Sequence, residues 1–349
     1  MGFESQQIPL RLGITIGDPA GIGPEIILKA LAARTALPKE QLVLFGSSEV
    51  LKLEDQRLQV LLPRYRSPLS STEIVDVARE LSFEEAPAGK GGDSRGATLQ
   101  WEALQEAMRA AKTGEIDGIV TAPWNKELFT KIDRPVVGHT EVLAQYFEVP
   151  DVVMMLGGDS LRVALVTIHI PLAEVAAKLS VERILTTAEI TIRGLEVSMG
   201  ISKPRVALAA LNPHGGEGGH MGLEEEEIII PALEELRRRH QEVTFTGPLP
   251  ADTLFAKYRR GEAPFDVVIA MYHDQGLIPL KLLHFGESAN VTLGLPVVRT
   301  SVDHGTAYDI AGQGIADAGS LGYAIELAAK MVGLRRRSFH DRGVGEKGF

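Results

Sequence analysis

Three histidines close apolar runs in this chain. "RVALVTIHIP" reaches His169, "RVALAALNPHGGEGGH" reaches His214 in a glycine-rich loop, and "DVVIAMYHDQG" reaches His273. Imidazole titrates near neutral pH and is a common ligand for divalent metals. Each of the three follows what reads as a buried strand at its carboxyl end, where open parallel sheets place their ligand crevice. In a chain with nine histidines and no cysteine, three imidazoles at one crevice suit a divalent metal with an open coordination position. Taken singly, each also fits an ordinary loop histidine bonded to nearby backbone. Their spacing matches no short metal motif.

Other polar residues fall in similar places. "VGHTE" puts His139 and Thr140 at a predicted helix start, where a hydroxyl and free backbone N–H groups favour an anion; an ordinary Thr cap reads equally well. Lys281, Asn290 and Arg299 lie within or beside short apolar segments. A Lys and an Arg near a crevice point to a phosphate or carboxylate, with surface ion pairing as the alternative. "TAPWNK" (121–126) follows a strand and offers Asn125 and Lys126. The loop "GDPAGIGPE" (17–25) has Pro24 at a predicted first helical turn. Its glycines, at 17, 21 and 23, match neither G-x-G-x-x-G nor a P-loop.

The elements that must hold these residues alternate along the chain. Apolar runs at 10–16, 42–45, 116–122, 152–156, 162–168, 205–211, 266–271 and 296–302 predict strands. Several are apolar on consecutive positions, as strands covered on both faces are. Helices are predicted over 24–36, 95–112, 139–147, 181–199, 223–240 and 319–333, with Pro231 placed to kink or shorten the fifth. The pattern is α/β with a largely parallel sheet. The basic end, 334–349, reads as a solvated and partly disordered tail.

With 349 residues there is length for one large or two ordinary domains. The net charge of −10 argues against a nucleic-acid partner held on a broad basic face. Without cysteine there are no disulfides, thiolate metal sites or cysteine nucleophiles. The first residues show no signal peptide or myristoylation pattern, and no apolar run reaches membrane-spanning length. The expected setting is cytoplasmic, with no membrane partner.

Two resemblances sharpen this. "DHGTAYDIAGQGIADAG" (303–319) is similar to the His-Gly-small-Ala-x-Asp-Ile-Ala-Gly segment of isocitrate and isopropylmalate dehydrogenases, which implies a cofactor adenosine site at His304, Gly305 and Asp309. "GDPAGIGPE", "GHTE", "TIHIPL", "LNPHGGEGGHMG", "GPLPADTLF", "YHDQGLIPLK" and "NVTLGLPVVRTSVDHGTA" together resemble the PdxA family of vitamin B6 synthesis, 4-hydroxythreonine-4-phosphate dehydrogenases, from about residue 10 to about 333. The resemblance implies an isocitrate/isopropylmalate dehydrogenase-like fold, two α/β lobes around a central cleft. The expected division is 1–135 plus 290–349 as the cofactor-side lobe and 136–289 as the metal and dimer-side lobe. It implies metal ligands at His169, His214 and His273, with His273 supplied across a homodimer interface. Substrate contacts are implied at His139, Thr140, Lys281, Asn290 and Arg299.

The implied reaction is oxidation of the 3-hydroxyl of 4-phosphooxy-L-threonine by NAD or NADP. The β-keto acid then decarboxylates to 3-amino-2-oxopropyl phosphate. A divalent metal (Zn, Mg, Co or Mn) lowers the hydroxyl's pKa and stabilises oxygen charge. Neutral imidazoles bind metal, so activity is expected to fall at acid pH. Asp252 is the preferred general base, with Asp274 the other candidate; each also reads as a cap or as a partner orienting a histidine. Relatives with the same histidines act on 4-phospho-D-threonate, 4-phosphoerythronate or cyclic dihydrodiols, so a dehydrogenase of a phosphorylated sugar acid is the alternative. A metal-dependent hydrolase is the rival from another class, and "HGTAYDIAG" weighs against it.

Overall fold

The structure is a computed structural model that describes residues 9–34, 40–83, 87–134, 138–258 and 263–341. The chain divides into two compact units, 1–147 with 297–333, and 148–296 with 334–349. The sequence reading drew its lines at 135/136 and 289/290, earlier at both crossings, and gave the C-terminal stretch to the first lobe.

The first unit opens with β1 (Leu10–Thr15), α1 (Gly23–Ala33), β2 (Glu40–Gly46), α2 (Ser48–Leu61), β3 (Glu73–Asp76), α3 (Ser94–Thr113), β4 (Gly118–Thr121) and α4 (His139–Tyr146). The second contains β5 (Val153–Gly157), β6 (Arg162–Leu165), α5 (Val175–Lys178), α6 (Val181–Met199), β7 (Arg205–Ala209), α7 (Ile230–Arg239), β8 (Thr244–Leu249), α8 (Ala251–Ala256), β9 (Val267–Ala270), α9 (His273–His284) and β10 (Ala289–Leu293). The chain then returns to the first unit in β11 (Val298–Ser301) and enters α10 (Gly319–Asp341).

The first unit's strands run β3-β2-β1-β4-β11, parallel throughout, with Leu12 opposite both Leu42 and Gly118 and Val298 opposite Gly118. Helical crossovers make that arrangement possible. Their ends carry the expected signals: Ser47 Oγ caps α2 through Val50 N, Asp93 caps α3 through Gly96 N, and Gly114 ends α3 at φ 79°. Only glycine takes that left-handed turn without strain.

The second unit's strands run β10-β5-β6-β9-β7-β8. Here the parallel expectation holds for β6, β9, β7 and β8, but β5 pairs antiparallel with both β10 and β6. The physical reason is the short 158–161 link, long enough for a hairpin and far too short for a parallel crossover. Val163, Leu165, Ala207, Val268, Ala270 and Leu280 lie at the centre of this unit's core.

Three stretches differ in detail from the sequence reading or go beyond it. The predicted helix over 223–240 is a π-helical turn at 225–229 followed by α7, with Pro231 in the first turn of α7. Proline has no N–H and its ring clashes with the preceding turn, so the extra residue of a π-turn relieves the conflict. The stretch from 334 does not begin as a disordered tail: α10 continues through it to Asp341. Arg335 there donates to Ser198 Oγ at 2.8 Å and to the carbonyls of Leu295 and Pro296 at 3.1 Å. Residues 342–349, and the end of the predicted 24–36 helix, lie outside the described residues. Finally, "YHDQGLIPLK" is helix α9 and runs through both Gly276 and Pro279. A Cβ at Gly276 would sit 2.3 Å from Val163 Cγ1, so the glycine there serves close packing against β6.

Candidate active site

In the second unit, residues beyond β6 stay zipped to the end of β9. Val166 N donates to Ala270 O at 2.9 Å, and Thr167 donates to Met271 O through both N (3.2 Å) and Oγ1 (2.7 Å). This register carries His169 alongside His273, with ring centroids 5.8 Å apart. His273 opens α9, and its Nδ1 lies 2.7 Å from Asp274 Oδ1. A carboxylate on Nδ1 leaves Nε2 as the outward donor atom, the usual orientation of a metal-binding histidine. Buried Gln275 accepts from Met271 N at 2.7 Å and donates to Ala210 O at 2.6 Å, tying the ends of β9 and β7 together.

His214 lies in a loop of unusual backbone. From His214 to Gly219 every φ is positive, including 54° at His214 and 44° at Glu217. Such conformations cost energy at non-glycine residues and persist only where surroundings enforce them. The entry to this loop is held by Glu225, on the π-turn. Its Oε1 accepts from Leu211 N and Asn212 N, both at 2.8 Å, and its Oε2 from Asn212 Nδ2 at 2.9 Å. Asp252 is exposed in the first turn of α8, two residues beyond Pro250, whose Cγ would lie 3.9 Å from a Cβ at Gly215.

The imidazole pair and its carboxylate fit a divalent cation by donor chemistry. The full set does not assemble within one chain, because no three His, Asp or Glu side chains among the described residues stand close enough to hold a metal. Structure therefore unites His169 and His273 and leaves His214 outside that pair. Also in this unit, Lys281 lies on α9 and Asn290 on β10. Asn290 Oδ1 is buried with no hydrogen-bond partner among the described residues, an acceptor poised for a ligand.

In the first unit, Arg299 on β11 is buried and donates through Nη2 to Thr121 Oγ1 at 2.6 Å. Burial pushes its guanidinium down to about 10, with the Glu141 carboxylate acting in the opposite sense. His139 begins α4 and stacks on the Trp124 indole, centroids 3.6 Å apart at 20°. Burial, then the Arg299 charge, holds this imidazole well below its ordinary pKa, so it is neutral at pH 7. Thr140 beside it is buried.

The glycine-rich loop after β1 packs on the 303–319 segment. Ile22 N donates to Thr306 O at 2.9 Å, and a Cβ at Gly21 would sit 2.7 Å from that oxygen. Tyr308 OH donates to Asp18 Oδ2 and accepts from Asn125 Nδ2 at 2.9 Å. Burial raises the Asp18 pKa against the opposing effect of the tyrosine bond. His304 approaches Gly305 O through Nδ1 at 3.0 Å, while its Nε2 is buried without a partner among the described residues. Asp309 is exposed. Pro19 and Ala20 also line a cavity of about 530 Å³, together with Phe83, Lys90 and Arg95.

The family model for "Pyridoxal phosphate biosynthetic protein PdxA" matches residues 38–328. The chain belongs to the PdxA family. A 4-hydroxythreonine-4-phosphate dehydrogenase from Desulfosudis oleivorans is 44% identical to this PdxA chain over 324 residues, covering 91% of it and 94% of the relative. The crystal structure of the enzyme of that name from Klebsiella pneumoniae superposes with a TM-score of 0.76 at 38% identity, covering 93% and 99% of the two chains. A terephthalate 1,2-cis-dihydrodiol dehydrogenase from Burkholderia xenovorans shares the fold at TM-score 0.62 and 32% identity, covering 92% and 98%. The mixed α/β fold is thus that of solved PdxA enzymes, as the motifs led us to expect. Trp124, Tyr308 and Glu225 were passed over in the sequence as site residues. "TAPWNK" had drawn attention only for its polar members.

Proposed function

We propose that this PdxA chain is a 4-hydroxythreonine-4-phosphate dehydrogenase, oxidising 4-phosphooxy-L-threonine with NAD or NADP in pyridoxal 5'-phosphate synthesis. The observation that carries this is near-full-length similarity to enzymes of that name, at 44% identity in one case. It works in the cytoplasm on this reading. Among the described residues no helix is long and apolar enough to cross a membrane.

The residues divide the work by chemistry. His139, Thr140, Lys281 and Arg299 anchor the phosphate and carboxylate, where fixed charge and neutral donors orient the reacting carbon. Asn290 offers its unpaired carbonyl oxygen to a substrate N–H or O–H. Asp252 accepts the hydroxyl proton as general base. His304, Gly305 and Asp309 hold the adenosine end of the cofactor. His169, His214 and His273 are the metal ligands, the set being completed between two copies of the chain. When bound, the nicotinamide supplies the hydride acceptor and the divalent cation (Zn, Mg, Co or Mn) supplies positive charge to the substrate oxygen.

The test uses chelator-treated enzyme, NAD and 4-phosphooxy-L-threonine, with a divalent metal added back and reduced-cofactor absorbance followed. Metal-dependent turnover that is lost in His169→Ala supports the reading. Turnover of 4-phospho-D-threonate alone would keep the dehydrogenase and reassign its substrate, an outcome given weight by the dihydrodiol enzyme of the same fold.

A further inference from the structure

The end of β4 and the segment that follows it touch three parts of the candidate site through nearly consecutive residues. Thr121 Oγ1 accepts from Arg299 at 2.6 Å. Asn125 Nδ2 donates to Tyr308 OH at 2.9 Å, and Asn125 N donates to Gln100 Oε1 at 3.0 Å. Between them, Trp124 lies against the His139 ring at 3.6 Å. The indole is itself braced: Phe129 meets it edge-on at 4.6 Å, and Trp101 meets Phe129 edge-on at 6.0 Å. Phe129 is fully buried in a small cluster with Ala97 and Leu128. The aromatic stack therefore rests on core and ends at an imidazole.

An imidazole held flat on an indole keeps one orientation. One face is covered by the indole, so its ring nitrogens can meet a ligand only along the ring edge. We propose that Trp124 is a positioning residue for substrate binding: it fixes the ring plane of His139 so that the imidazole edge meets the substrate's anionic end. This rests on the reading above that His139 contacts substrate. Neutrality of His139 agrees with the stack, since the ring then serves as a hydrogen-bonding group with no charge to be solvated.

The test compares Trp124→Leu, which removes the aromatic plane, with Trp124→Phe, which keeps one. His139→Ala serves as reference. We expect Trp124→Leu to raise KM for 4-phosphooxy-L-threonine about tenfold with kcat changed less than about threefold, as loss of orientation in the ground state does. Trp124→Phe should restore KM to within about threefold of the parent. His139 ring-proton resonances, shifted upfield over the indole face, should move back downfield in Trp124→Leu and less so in Trp124→Phe. Because Trp101 is the chain's other tryptophan, a Trp101→Phe protein gives Trp124 emission alone, and substrate should change it. If His139→Ala raises KM while Trp124→Leu leaves it at the parent value, the positioning role is overturned and the substrate role of His139 stands. If Trp124→Leu lowers only thermal stability, the tryptophan is structural and the proposal fails. If His139→Ala has no effect on KM, both ideas fall together.

Discussion

At the scale of single residues, the site is set by which polar groups are buried and what faces them. Arg299 shows this directly: its guanidinium is buried, and Thr121 Oγ1 is one of its acceptors. Thr121→Val keeps the shape and removes that acceptor. A hydrogen bond to a charged group is worth about 1.5–3 kcal/mol, so KM for the phosphorylated substrate should rise roughly tenfold or more if the arginine loses its orientation. Steady-state kinetics on both proteins checks it. His139 carries a second prediction. Its pKa is depressed from 6.5 by burial and by Arg299. In the unfolded chain the ring protonates normally, so below about 6.5 the unfolded state binds the extra proton and is favoured. The contribution of His139 to stability is therefore full above about 6.5 and is lost progressively as pH falls toward the folded-state value. His139→Gln should flatten part of the fall in melting temperature between pH 7.5 and about 5.5. An unchanged slope would show that the ring titrates normally in the folded protein.

At the scale of elements, packing decides what propensity leaves open. Gly276 lies inside α9, where glycine and Pro279 both disfavour a helix. The helix forms because tertiary contact overrides that preference: Leu277 and Leu280 are buried in the core, and the bare Gly276 backbone lies against Val163. Gly276→Ala should raise helix propensity yet destabilise the protein by about 1–3 kcal/mol, since the new methyl overlaps Val163. Thermal denaturation gives the sign, and a stabilised variant would mean that β6 and α9 separate easily. This helix also shows what the sequence left hidden. The buried-looking run into His273 was legible as a strand end, and all eight predicted strands have counterparts in the structure. β3, β8 and β10 were missed because they carry polar residues, and in β8 a Gly-Pro pair, and so lack a continuous apolar run. α9 was missed because two helix breakers mask its period. Among site residues, the histidines stood out by their position after strands. Trp124, Glu225 and Tyr308 did not, because their role lies in contacts with residues 13 to 183 positions away: His139 for Trp124, Asn212 and Leu211 for Glu225, Asn125 for Tyr308.

At the scale of the whole molecule, one chain holds an incomplete donor set, with His169 and His273 close together and no third ligand among the described residues. The same helix that begins at His273 carries Ile278 and Leu282, 67% and 84% exposed, and its C-cap Phe285 adds a third bare apolar side chain at 83%. The spacing of four residues puts Ile278 and Leu282 on one helical face. Monomeric proteins rarely leave such residues grouped in water, and a self-complementary face is how twofold dimers form. A dimer built on α9 would cover these side chains and place His273 at or near the contact, so that copies could complete each other's donor sets. Leu282→Asp puts a charge into that contact. On this proposed homodimer, sedimentation should show the parent as a dimer and Leu282→Asp as a folded monomer that retains its circular dichroism; a monomeric parent would remove the proposal. Outer partners of a metal site alter affinity about 10–100-fold, and loss of a ligand costs more than that. Chelator competition should accordingly show the monomer binding zinc at least tenfold more weakly than the parent. A monomer with undiminished zinc affinity would mean that each chain completes its site alone, by bringing His214 to the pair when metal binds.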